Sequence, residues 1–183
     1  MTRGNRRTIK KYGTMNIRMT FIKILPIATL VSVFTLMFIG GYVSASGVGL
    51  TCPKWPLCPA GFVPMEEFLI EYFHRSVAAI TGMLVFVTAF VVLRSKITPR
   101  PMKMASIIAS CAAAGQITLG AIVIMERLHA ILVTVHLGLG LLLFSMALIT
   151  VLYSRKIVNA KDDLQKSSVN SSSYSSTAET SPG

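Results

Sequence analysis

The stretch LHAILVTVHLGLGLLLFSMALITVLY, residues 128–153, runs through 26 residues without an Asp, Glu, Lys or Arg. An α-helix rises 1.5 Å per residue, so about 20 such residues cross a bilayer, and this stretch reads as a spanning helix. Three more runs share its character, at 24–43, 68–93 and 104–125. Of the 183 residues, 52% are hydrophobic and 14% charged, and the mean hydropathy is +0.63. That is the composition of a membrane protein. The expected fold is all-α: an integral membrane four-helix bundle, multi-pass in the cell membrane, with the lipid bilayer as its solvent. Pro26 is expected in the first turn of the first helix, where a missing N–H costs little. That first run is expected to be an anchor, since a cleaved signal peptide would have a shorter apolar core.

A net charge of +11 would suit nucleic acid if Lys and Arg formed one face of a globular domain. Here they are confined to the gaps between apolar runs, so no nucleic-acid partner is expected. Seven lie before the first run. Arg94, Lys96, Arg100 and Lys103 separate the second and third, and Arg155, Lys156, Lys161 and Lys166 follow the fourth; only Lys54, Arg75 and Arg127 fall on the other side. Basic residues are retained in the cytoplasm. A split of 15 against 3 therefore places both termini inside.

Three regions follow from this pattern. Residues 1–23 form a basic cytoplasmic segment able to meet anionic headgroups, 24–153 carry the four helices, and 154–183 are a cytoplasmic tail. The tail is rich in Ser, and both ends of the chain are expected to be disordered. The loop 44–67 faces outward and contains Pro53, Pro56, Pro59 and Pro64, each of which fixes φ and resists helix. A long, stiffened connection is more often functional than passive. Trp55 within it reads either as an interfacial anchor or as a cap over a ligand.

The chemistry sits at the outer ends of two runs. Cys52 and Cys58 share the outward loop, and in an oxidising compartment a disulfide is the default reading, serving to fix the loop's shape. Cys111, beside Ala112, Ala113 and Ala114, reads as a small packing residue. Glu71, His74 and Arg75 open the second run. Ionisable groups in hydrocarbon cost at least ~2.5 kcal/mol apiece and so mark functional sites. Glu71 and His74 share a helix face, and Arg75, four residues beyond Glu71, is placed to pair with it. His129 and His136 lie on the fourth run. With helices starting at 68 and 128, His74 lies ~9 Å and His136 ~12 Å inside the outer surface. Two imidazoles at matching depth suit axial ligation of a heme iron. Gly138 and Gly140, with Gly82, would let a flat ring or a neighbouring backbone approach closely.

The segment from Gly40 through Cys52, Trp55 and Cys58, followed by Glu71-Tyr-Phe-His74-Arg75, Gln116-Ile-Thr-Leu-Gly120 and His136-Leu-Gly, resembles the first half of heme A synthases. The resemblance covers about residues 24–153, in a half-length, four-helix form like shorter archaeal members. It implies oxidation of the C8 methyl of heme O to a formyl group. His74 and His136 match the axial-ligand pair, Glu71 the essential carboxylate, and Cys52 with Cys58 the loop cysteine pair. Heme b as cofactor, heme O as substrate, and iron follow from the same likeness. Arg75 and Arg127 are candidate heme-binding residues, with Lys54 and Arg127 placed for its propionates. Because the usual form has two halves, this one is expected to work as a homo-oligomer joined through Gly115, Gly120, Gly138 and Gly140, with heme O synthase or a terminal oxidase as further partners. The alternative is a bis-histidine membrane cytochrome that transfers electrons without chemistry on the heme. A thiol-linked quinone enzyme would need a second reactive cysteine pair, which the chain does not have, and an assembly factor without chemistry would leave the ionisable cluster unexplained.

Overall fold

The computed structural model describes residues 3–47, 49 and 69–178. The loop residues Cys52, Lys54, Trp55 and Cys58, and with them the disulfide, lie outside the described residues. Four helices follow in order: α1 Arg3–Ser46, α2 Leu69–Arg94, α3 Arg100–Met125 and α4 Ala130–Ala178. The 26 residues of α2 and of α3 reach roughly 39 Å, more than the ~30 Å hydrocarbon core. All four helices contain stretches long and apolar enough to span: Met19–Ser46, Leu69–Arg94, Arg100–Met125 and Ala130–Leu164. Large apolar side chains face outward along them, and Phe38 and Met125 are three-quarters exposed. Water would not tolerate such a surface; lipid does.

The helices alternate in direction. Gly40 meets His74, Ser32 bonds Thr81 and Thr29 bonds Thr88, so α1 and α2 are antiparallel. Gly115 against Leu139 with Gly120 against His136, and Ile22 bonded to Ser154 with the ring of Phe34 beside that of Phe144, set the same relation for α3 with α4 and α1 with α4. The pairs in firm contact are α1–α2, α2–α3, α3–α4 and α1–α4. The bundle is thus a closed square with α2 and α4 on one diagonal. Its centre is Val33, Val85, Ala109, Ala112, Ala113 and Leu143, where the alanines let backbones close up in the way lipid-embedded helices need.

Several expectations change. Pro26 lies inside α1 rather than in its first turn, so the carbonyl of Ile22 has lost its helical donor. Ser154 Oγ, almost fully buried, donates to that oxygen at 2.5 Å. A buried backbone acceptor needs such a partner. Instead of the expected disorder, α1 begins at Arg3 and α4 runs to Ala178. No Pro or Gly interrupts 154–178, and once a span has nucleated a helix each further residue adds a bond. Finally, α4 begins at Ala130 because Arg127 and Leu128 both take left-handed backbone, φ 50° and 60°. Leu128 N–H donates to Val123 O at 2.8 Å, and its side chain packs where a Cβ on Gly49 would stand.

Candidate functional site

The site occupies the end of the bundle where α2 and α4 begin. Glu71, His74 and Arg75 come from the first two turns of α2, and His136 from the second turn of α4. Counting from Leu69 and Ala130, the two histidines lie about 8 and 9 Å along their helices. They project from diagonally opposite helices at the same end of the bundle. Each is backed by a glycine on a third element. A Cβ at Gly40 of α1 would stand 3.0 Å from His74 Cε1, and one at Gly120 of α3 would stand 3.4 Å from His136 Cε1. Both Nδ1 atoms are buried and have no hydrogen-bond partner among the described residues. In a hydrocarbon setting an unmet polar atom is expensive, so each ring calls for a partner beyond the described residues.

Glu71 is buried and pairs with Arg75 at 2.5 Å. The helix start at Leu69 puts the whole cluster inside α2, and the four-residue spacing brings guanidinium to carboxylate. A cation at this contact offsets the cost of a buried anion. Arg75 is thereby engaged with Glu71.

Other candidates fall elsewhere. Arg127 stands exposed in the α3–α4 turn, and His129 is exposed just ahead of α4. Cys111 is exposed on the outer face of α3 rather than packed inside. The glycines proposed for contacts between copies are largely taken up within one chain: Gly115 meets Leu139, Gly120 meets His136 and Gly140 meets Gln116, while Gly138 alone has open space. Gly82 makes only ordinary contact with Ile117. Gly40 and Gly120, not Gly82, Gly138 or Gly140, are therefore the glycines that border the imidazoles. The residue that helical spacing does not single out is Gln116, whose Nε2 donates to the backbone oxygen of His136 at 2.8 Å.

No group of three or more His, Cys, Asp or Glu side chains comes together for a metal among the described residues. Two imidazoles alone do not complete a protein-only metal site. They do suffice for an iron that arrives with its own equatorial nitrogens, as heme iron does. The glycine-backed rings and their unmet nitrogens fit such a group.

Known proteins similar to this chain point the same way. The family described as cytochrome oxidase assembly protein, COX15-CtaA, matches residues 65–178. A protoheme IX farnesyltransferase from Haloarcula marismortui is 34% identical over 137 residues, 74% of this chain and 29% of that protein. Heme A synthases from Bacillus licheniformis and Bacillus mycoides are 28% identical over 149 residues and 29% over 133. These alignments cover 80% and 70% of this chain, and 48% and 43% of the synthases. The chain thus spans less than half the length of each of these relatives.

Proposed function

The chain belongs to the family of cytochrome oxidase assembly proteins, and from that premise we propose that it acts in heme A biosynthesis, oxidising the C8 methyl of heme O to a formyl group. The observation that carries this reading is the pair His74 and His136: two imidazoles at one depth on diagonal helices, each against a glycine, each with an unmet buried nitrogen. In this reading they would hold the iron of heme O, and the electrons taken from its methyl carbon would pass to a separate acceptor. The remaining work falls to side chains. Oxidation at a methyl carbon develops positive charge there, which a fixed anion stabilises, and the same carboxylate accepts a released proton. Glu71 takes both roles. Arg75 holds it in place, and Arg127 at the mouth meets a propionate.

The named relatives support a heme as the common substance, since one is a protoheme farnesyltransferase and two are heme A synthases. The basic-residue split would put both termini in the cytoplasm, and alkylation of Cys52 or Cys58 before reduction would refute the disulfide expected between them on the outer side. A bis-histidine cytochrome shares the histidines but has no use for a buried Glu71.

The deciding experiment supplies cells with heme O and measures heme A by chromatography, comparing wild type with Glu71→Gln. Wild type should form heme A. The variant should keep bound heme and form little or none. Normal heme A formation by Glu71→Gln would remove the catalytic role, and none from wild type would favour the cytochrome.

A further inference from the structure

Gln116 is the one polar side chain in the last turns of α3 that reaches across to α4, and both halves of its amide are informative. The backbone oxygen of His136 can only accept, so the amide nitrogen must face it, and Nε2 donates there at 2.8 Å. The approach depends on Gly140, where a Cβ would stand 2.7 Å from Nε2. With the nitrogen committed, Oε1 is fixed on the other side. That oxygen is buried and has no hydrogen-bond partner among the described residues. One turn along α3, Gly120 meets the ring of the same histidine, so Gln116 lies one helical turn from the contact with that imidazole. A buried acceptor without a donor is costly, the more so at membrane depth where water does not substitute.

We propose that Gln116 is a specificity-determining residue of this site, its Oε1 accepting a hydrogen bond from a hydroxyl group on the bound tetrapyrrole. The inference rests on the heme reading and adds a choice between hemes. Propionates are ionised and cannot donate. Protoheme has vinyl groups and no hydroxyl, whereas heme O bears an alcohol on its prenylated side chain. A site built to bond a hydroxyl rejects the analogue without one, because its buried polar atom is then left unpaired. Heme O is therefore favoured over protoheme, and the discriminating contact is one amide oxygen.

The test uses the full chain in lipid nanodiscs, titrated by absorbance with heme O, protoheme and heme O methylated on its side-chain oxygen. The methyl ether keeps the tail, and so the partitioning into lipid, while replacing the donor hydrogen with a methyl group, whose bulk the Gln116→Leu comparison controls for. Wild type should bind heme O about tenfold more tightly than the ether. Gln116→Leu should bring that ratio close to unity, and so should Gly140→Ala, which displaces the amide without removing it. Equal binding of heme O and its ether by wild type would overturn the inference even if no variant folded. A tenfold preference that survives in Gln116→Leu would do the same. Failure of wild type to bind any of the three is a separate outcome, which sinks the heme reading and this inference with it.

Discussion

Gly40 and Gly41 are consecutive in one helix, and they offer a controlled perturbation of the site. Replacing either with Ala gains the same helix propensity, about 1 kcal/mol. At position 41 nothing lies within 4 Å of the added methyl, whereas at position 40 it lands 3.0 Å from His74 Cε1. Relaxed carbon–carbon contacts lie near 3.5–4.0 Å, so the ring or the helix must give way by about 0.5–1 Å. Crowding of that kind costs roughly 1–3 kcal/mol, enough to cancel the propensity gain. The expected outcome is that Gly41→Ala unfolds in denaturing detergent at slightly higher denaturant and keeps its bound-heme spectrum, while Gly40→Ala is no more stable than wild type and binds heme less tightly with an altered spectrum. Unfolding followed by circular dichroism and heme titration by absorbance supply both readouts. If the two variants behave alike, His74 does not lie where its function is argued to place it.

Three further outcomes follow from individual contacts. Ser154→Ala should cost about 1–3 kcal/mol, because Ile22 O loses its donor, and nearly nothing in a Pro26→Ala background that restores the backbone N–H; equal costs in a double-mutant unfolding cycle would refute this account of the proline. Arg75→Leu takes away the cation beside the buried carboxylate of Glu71 and should destabilise the fold, by up to roughly 3–5 kcal/mol. Adding Glu71→Gln should recover most of that loss, and an Arg75→Leu variant as stable as wild type would contradict it. A Ser172→Cys variant should react with an impermeant thiol reagent only in opened membranes, and a Lys54→Cys variant in intact cells; labelling of position 172 from outside would invert the topology.

The spans at 68–93 and 104–125 are legible because charged residues are costly in hydrocarbon, so long runs nearly free of them mark the helices closely, Glu71 and Arg75 near the start of the first being the exceptions. The start of α3 at Arg100 rather than 104 depends on Pro101 near the helix start, where its φ suits a first turn and its lost N–H is unneeded. Left-handed Arg127 and Leu128 are not legible, since neither is Gly or Asn and the turn is held by Leu128 packing on residues 43 and 49. The same division runs through the site. His74, His136 and the Glu71–Arg75 pair stand out because ionisable groups are rare in apolar runs. Gly40 and the hydrogen bond of Gln116 do not, because their meaning depends on which residue lies across a helix–helix contact, and helical spacing within one run does not carry that. Cys111 shows the limit of local context: its alanine neighbours suggest packing, yet it faces outward.

The central claim is that His74 and His136 together hold one heme iron. Electron paramagnetic resonance of the oxidised, purified protein, recorded for wild type, His74→Ala, His136→Ala and His129→Ala, tests it most directly. Wild type and His129→Ala should share a low-spin signal typical of two imidazole ligands, and each of the other two variants should lose it, through high-spin iron or loss of heme. A wild-type protein without that signal, or either single variant retaining it unchanged, would contradict the account.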